Sequence, residues 1–275
     1  MDIDYNTLIL KTIKVDRVEV DSRWMTGNFP PAWRIISYAR IYFPVSGEGS
    51  VTNDGETYHL KPGMMLLVPP FANAKVCCPE RLCKYWTHFN AQLPGAPSDL
   101  FFLHGKCIEI STAGREDHFY SVFDHLIKIE NQPVKSPIDH YEYDAYFRLL
   151  IAPFLRALTE SPAKTVLPRA MELLQFIEEN YSRKLTLKEL AEVACMHPNY
   201  LCSSFRKRMN MTVFEYIERV RFHHALEYIR QGKMMFSEIA ELTGFSSLQA
   251  FSKNFRKIYG VSPRNFDTAE ISIKY

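Results

Sequence analysis

No stretch of about 18 apolar residues occurs in this 275-residue chain, so the sequence contains no candidate membrane span. Met1 to Leu10 begins with acidic residues and has neither a basic run nor a long apolar core, which speaks against a secretory leader. Cysteines stand at Cys77, Cys78, Cys83, Cys107, Cys195 and Cys202 without a CxxC pair or a regular framework. That spacing argues for reduced thiols in a cytoplasmic protein, with zinc ligation by Cys77, Cys78 and Cys83 a lesser reading. There is no HxH pair, no HExxH and no GxSxG, the usual carriers of metal-centred and serine-nucleophile chemistry. His118 and His125 would lie roughly 10 Å apart along a helix, too far for one ion. The expectation is a protein with no catalytic residues, no metal and no cofactor.

What is present is ordinary in amount and uneven in placement. Hydrophobic residues make up 47% and charged residues 23%, enough for packed cores and unlike a disordered chain. The net charge is +2, but the residues from Thr165 onward carry 16 basic and 12 acidic side chains, so the excess lies at that end. Three zones follow one another. From about Ile3 to Ile110, β-branched and aromatic runs such as Arg40-Ile41-Tyr42-Phe43 alternate with turn signals, Asp54-Gly55 and Pro62-Gly63 among them, which predicts an all-β barrel or sandwich. From about Glu116 to Thr159 the period becomes helical. Phe119, Val122, Phe123 and Leu126 mark one helix, and Tyr146, Leu149, Leu150, Phe154 and Leu158 a second, with a kink near Pro153. Glu160 to Lys164 reads as a linker, dividing the chain into domains 1–160 and 166–275.

The last zone is all helix and repeats itself. Leu187-Lys188-Glu189-Leu190-Ala191-Glu192, followed after a break by Phe205-Arg206-Lys207, returns as Phe236-Ser237-Glu238-Ile239-Ala240-Glu241 and Phe255-Arg256-Lys257. The offset is 49 before the break and 50 after it, so the second turn is one residue longer. Each copy pairs two short helices across a tight turn. Pro198 suits the first position of the helix it opens, Gly244 a positive φ, and Ser246 or Ser247 a helix cap. A long helix from Thr212 to Gln231 should join the copies. A plain helical bundle would show the apolar stripes. It would not predict the basic clusters at the end of each second helix, Arg206-Lys207-Arg208 and Arg256-Lys257, where a helix lying in a DNA groove meets phosphates. Two helix-turn-helix units are therefore expected, with double-stranded DNA as partner.

These residues resemble the AraC/XylS transcription regulators. The matching positions are Leu187, Leu190-Ala191, Pro198, Tyr200-Leu201, Phe205-Arg206-Lys207, Tyr216, Arg221, Ala225, Ile239-Ala240, Gly244-Phe245-Ser246, Phe251, Phe255-Arg256-Lys257 and Gly260-Val261-Ser262-Pro263. His197 stands where serine usually caps the first reading helix, and Asn210 where glycine usually follows it. Ser46-Gly47-Glu48-Gly49, Tyr58, Leu60, Pro62-Gly63, Leu67-Val68-Pro69-Pro70 and Trp86-Thr87-His88-Phe89 extend the resemblance to the family's sensor domain. The fold it implies is an all-β cupin-like barrel, two dimerisation helices, and an all-α domain with two helix-turn-helix units.

The resemblance implies a sequence-specific regulator, an activator responding to a small polar ligand such as a sugar, acting as a homodimer with RNA polymerase. The base-facing positions would be Asn199, Cys202, Ser203, Leu248, Gln249, Ser252 and Lys253, and the phosphate contacts Arg206, Lys207, Arg256 and Lys257. Gln249 can pair with adenine through two hydrogen bonds, and Leu248 can touch a thymine methyl. Trp86 aligns with an aromatic that stacks on sugar in the family, with Trp33, Arg34, Tyr38, Lys75 and His88 as companions in an effector pocket. Trp86 and His88 could instead be core residues. Two other functions remain open on the sequence: a metal-dependent cupin enzyme with a helical appendage, and a regulator whose barrel takes no small molecule.

Overall fold

The computed structural model of the protein describes residues 4–26, 38–72, 74–94, 99–160, 168–209, 211–259 and 261–266. Strands β1 (Ile9–Asp21), β2 (Ala39–Gly47), β3 (Gly49–Asn53), β4 (Glu56–Leu60), β5 (Met64–Val68), β6 (Lys75–Cys77) and β7 (Arg81–Gln92) are followed by a short helix α1 (Leu100–His104) and β8 (Ile108–Ser111). They form two sheets, β1-β7-β2-β5-β8 and β4-β3-β6. Asp54 and Gly55 both take positive φ at the β3–β4 turn, as the Asp-Gly signal requires.

The larger sheet is covered on both faces, which is why β2 and β7 are buried along most of their length instead of alternately. Pairing in the ladder sets Arg40 opposite His88 and Tyr42 opposite Trp86, and the two-residue period puts these four on one face. That face meets the smaller sheet, whose Val51, Leu60 and Val76 join Tyr42, Leu66, Val68, Leu82 and Trp86 in one core. The opposite face carries Ile41, Phe43, Met65, Leu67, Tyr85 and Phe89 and packs on helices.

Among the described residues the ladders form two facing sheets, and none of them joins these into a closed barrel. At Gly47 (φ +78) the backbone of β2 runs against the carbonyl of Arg81 so closely that a Cβ would collide with it. The chain leaves the large sheet there and enters the small one at Gly49.

Helices α2 (Glu116–Glu130) and α3 (Pro137–Glu160) cover the outer face of the large sheet. Phe119, Val122, Phe123 and Leu126 are buried, as their spacing predicted. In α3 the buried stripe is Phe147, Leu150, Ile151 and Phe154. Leu149, one of the residues whose spacing marked this helix, is 49% exposed. α3 is apolar on two sides, and period alone does not say which side meets the sheet. Pro153 lies inside α3, and the helix starts with Pro137 at its first turn, where Ser136 and Asp139 cap each other.

The helices that follow are α4 (Pro168–Asn180), α5 (Leu187–Val193), α6 (Pro198–Met209), α7 (Val213–Gln231), α8 (Phe236–Leu242) and α9 (Leu248–Tyr259). Between Glu160 and Pro168 the expected linker lies outside the described residues. Two cores divide the helices. Leu190, Ala191, Leu201, Phe205 and Ile217 belong to one, and Ala225, Ile239, Ala240, Phe251 and Phe255 to the other, so α7 contributes to both. The halves of the chain also touch. Phe71, in the loop after β5, and Phe102 of α1 pack with Tyr216 of α7, the Phe102 and Tyr216 rings stacked at 5.5 Å, and Lys11 pairs with Glu227 at 2.8 Å.

Candidate DNA interface and sensor core

The two helical units share one turn. In the first, the Cys195 amide donates to the Glu192 carbonyl and the Met196 amide to that of Ala191. In the second, Gly244 donates to Glu241 and Phe245 to Ala240. These paired bonds are a helix C-cap, and its left-handed residue is Cys195 (φ +50) in one unit and Gly244 (φ +77) in the other. The caps are in register at an offset of 49. The extra residue falls after them, because α6 begins at Pro198 and α9 at Leu248. Ser247 is the serine that caps α9, its hydroxyl accepting from the Ala250 amide at 3.1 Å. His197 fills the unusual cap position of α6 with its ring, Nδ1 accepting from the Asn199 amide at 3.4 Å.

The units are fixed to one another by more than α7. Arg221 of α7 donates to the carbonyls of Tyr181 and Arg183 in the loop after α4. The turn of the second unit presses on the same loop, so that a Cβ on Gly244 would lie 2.5 Å from the Ser182 carbonyl oxygen. At 19 residues, α7 is about 28 Å long.

On α6 the structure places Asn199, Cys202 and Ser203 in the open, opposite the buried Leu201 and Phe205. On α9 Leu248, Gln249 and Lys253 are exposed and Ser252 half-buried, opposite Phe251 and Phe255. Each set therefore shares the outward face of a 12-residue helix. Arg206, Lys207, Arg256 and Lys257 are exposed, and none has an ion-pair partner within 4.0 Å among the described residues. Asn210 and Gly260 lie outside the described residues.

In the sandwich interior Tyr38, Trp86 and His88 come together, His88 lying 4.5 Å from the Trp86 ring and 4.7 Å from that of Tyr38. Lys75 does not join them; it is exposed on β6. Trp33 and Arg34 lie outside the described residues. Two members went unrecognised in the sequence, Arg40 and Lys84. The signal that points to them is the strand period: Lys84 precedes Trp86 by two residues on β7, and Arg40 follows Tyr38 by two. Lys84 is fully buried, its ammonium 4.1 Å from the Trp24 ring centre and 4.5 Å from that of Tyr42. Burial, with Arg40 close by, pushes its pKa down to about 7. Burial, reinforced by Arg40 and Lys84, holds His88 well below the usual histidine range, so that ring is neutral. Among the described residues no three His, Cys, Asp or Glu side chains gather as a metal site, and no helix is long and apolar enough to cross a membrane.

Two helix-turn-helix units in one helical domain, joined to a β domain with buried polar side chains, are the arrangement of a two-domain transcription regulator with a ligand-binding and a DNA-binding half. Residues 23–138 match the model of the AraC-like ligand binding domain, and residues 190–269 that of a helix-turn-helix domain. The chain belongs to the AraC family of transcription regulators. It is 25% identical to the Msm operon regulatory protein of Streptococcus mutans over 236 residues, 82% of each chain. It is 22% identical to the lactose operon transcription activator of Staphylococcus xylosus over 245 residues, 82% of each. The melibiose operon regulatory protein of Escherichia coli is 32% identical over 95 residues, 34% of this chain and 32% of that one. These relatives are regulators, not enzymes. The fold is shared with ToxT of Vibrio cholerae, in a structure with bound unsaturated fatty acid: TM-score 0.57 at 11% identity, covering 96% of this chain and 95% of the other.

Proposed function

We propose that this regulator reads two successive major-groove segments of an operator through α6 and α9, and that a small polar effector in the sandwich interior controls it. The observation that carries the first part is the pair of outward faces. Asn199, Cys202 and Ser203 on α6 and Leu248, Gln249, Ser252 and Lys253 on α9 are the base-reading set. Arg206, Lys207, Arg256 and Lys257 anchor the helix ends to phosphates. The length of α7 suits two reading helices spaced by about one turn of DNA, ~34 Å. Selection of duplexes from a random pool by the full chain tests this. Two short motifs about 10 base pairs apart are expected, and recovery of duplexes with no common sequence refutes it.

Tyr38, Trp86 and His88, with Arg40 and Lys84, are the effector residues in this reading. The melibiose and lactose operon regulators among the relatives support a carbohydrate-sized effector, and the name of the second, a transcription activator, supports that role; in this reading the chain acts on RNA polymerase in the cytoplasm. A route from effector to DNA is available: Ala72 and Ala74 belong to the sandwich core, while Phe71 beside them packs on Tyr216 and gives its carbonyl to Arg219 at 3.4 Å. The chain works as a homodimer through α3. Ile138, Tyr141, Ala145, Leu149 and Ala152 form a second, exposed apolar stripe on that helix, and a face of that kind is covered by a partner in a stable protein. Leu149→Glu is expected to give a monomer in sedimentation. An unchanged dimer refutes the assignment of α3.

A further inference from the structure

We propose that the effector is an acid, whose carboxylate or phosphate group enters the sandwich interior and takes Arg40 and Lys84 as its counter-charges. The proposal rests on the reading above that this interior is the effector site, and adds the chemical class of the ligand. Arg40 is 2% and Lys84 0% exposed. Arg40 Nε and Nη2 and Lys84 Nζ have no hydrogen-bond partner among the described residues, and neither side chain is in an ion pair there. The buried polar and charged residues of the described chain are Arg40, Asn53, Lys84, Thr87, His88, Thr112 and Thr243, with no carboxylate among them. Among the residues outside the described set, 27–37, 73, 95–98, 161–167, 210 and 260 contain no Asp or Glu, and the carboxylates there are Asp2, Asp267 and Glu270 near the two ends of the sequence.

Burying a guanidinium and an amine without a counter-charge is costly: Arg40 keeps its charge, while Lys84 responds by a lowered pKa, and chains keep such groups where something supplies the charge. The Trp24 and Tyr42 rings lie against the Lys84 ammonium and ease its burial, but a ring quadrupole does not neutralise a charge. Arg40 and Lys84 lie on the same inner face with Tyr42 between them, Arg40 near enough to be felt by Lys84 and by the Tyr42 hydroxyl, and a guanidinium and an ammonium are the donors that suit a carboxylate or phosphate. Trp86 and Tyr38, on the same face, offer apolar plates for the rest of the molecule. The titratable groups around Lys84 are Arg40 and Tyr42 on β2, His88 on β7 and Cys78 after β6; Cys107 before β8 lies near Arg40, and the carboxylates that act on that thiol, Asp54 and Glu56, are exposed at the β3–β4 turn. An incoming anion therefore favours the charged form of Lys84, and binding above neutral pH draws in a proton.

Thermal melting of the full chain at constant ionic strength, with D-glucose, D-glucuronate, D-glucose 6-phosphate, acetate or inorganic phosphate, tests this. An acid is expected to raise the melting temperature above the neutral sugar, with glucuronate and acetate reporting a carboxylate effector and the phosphates a phosphorylated one. Arg40→Met and Lys84→Met, or Lys84→Gln should the methionine variant misfold, are expected to abolish that shift. Lys84→Met is also expected to raise the ligand-free melting temperature. Calorimetry at pH 8 in buffers of different ionisation heat should find nearly one proton taken up per acid bound, and none in Lys84→Met. If glucose stabilises as well as the acids and still does so in Lys84→Met, the acid proposal is overturned while the effector site stands. A shift that persists in Arg40→Met, Lys84→Met and Trp86→Ala alike marks an ion bound elsewhere, and overturns both. No shift with any acid, together with a lower melting temperature for Lys84→Met, makes the cations structural and overturns the proposal.

Discussion

Replacing Gly244 by alanine separates two costs that usually arrive together. The first is conformational: φ is +77 there, and a side chain in the left-handed region costs about 1–2 kcal/mol, partly offset by the stiffer unfolded chain. The second is steric. The new Cβ would lie 2.5 Å from the Ser182 oxygen, 2.7 Å from its carbonyl carbon and 2.8 Å from the Tyr181 oxygen. All three are backbone atoms in a loop that Arg221 holds at the Tyr181 and Arg183 carbonyls on either side of Ser182, so they yield poorly, and overpacking of that kind costs ~1–3 kcal/mol. We expect Gly244→Ala to destabilise the full chain by about 2–4 kcal/mol in urea unfolding followed by helical circular dichroism. Gly55 is the control: its φ is +84, and nothing lies within 4 Å of a Cβ built on it. Gly55→Ala should therefore cost only the conformational part, about 1 kcal/mol. The reciprocal change, Cys195→Gly, relieves the left-handed cysteine of the first unit and should be neutral or stabilise by up to ~1 kcal/mol. Because the same contact sets the second unit against the first, Gly244→Ala should also lower operator affinity in conditions where the protein stays folded. Equal losses for Gly244→Ala and Gly55→Ala would refute the close approach as the reason for glycine.

Gln249→Ala is expected to weaken operator binding by ~1–3 kcal/mol while leaving binding to random DNA nearly unchanged; equal losses on both would remove Gln249 from the base-reading set. Arg256→Ala should reduce the slope of log affinity against log salt by about 1, and an unchanged slope would mean that its charge faces solvent. Trp86→Ala should abolish the effector response while operator binding persists. A loss of ~3–5 kcal/mol in ligand-free stability would instead mark Trp86 as a packing residue. Lys84, with its folded pKa lowered to about 7 from 10.5, binds fewer protons folded than unfolded between these values. Stability should therefore rise with pH from 7 towards 10, by about 2 kcal/mol between pH 7 and 9. A flat profile in the wild type, or the same rise in Lys84→Met, would show that Lys84 is not its source.

By itself the sequence determined the helical half of this protein. A repeat of residue types at a fixed offset carries its own alignment, so the turn at Gly244, the longer second turn and the joining helix could be placed without a structure, while the matching left-handed cap at Cys195 came from the structure. Outward positions on α6 and α9 followed from the buried stripes, because within one helix the apolar face defines the polar one. Local chemistry also gave the Asp54-Gly55 hairpin and the buried side of α2.

Which face of each β strand and of α3 looks where was settled by packing between elements. A strand buried on both sides shows no alternation: the two-residue period ties Lys84 to the face of Trp86 and Arg40 to that of Tyr38, but only the packing shows that this face lies between the sheets while Ile41 and Tyr85 meet the helices. The close approach that requires glycine at position 47 comes from Arg81, 34 residues away in sequence. For α3, two apolar stripes satisfied the same period, and contact with the sheet selected Phe147, Leu150, Ile151 and Phe154, leaving Leu149 outside. The packing of Phe71 and Phe102 on Tyr216 joins halves of the chain more than a hundred residues apart. Periodicity describes one element at a time. The charged interior and the contact between the domains are properties of pairs of elements, and they exist only once those elements have met.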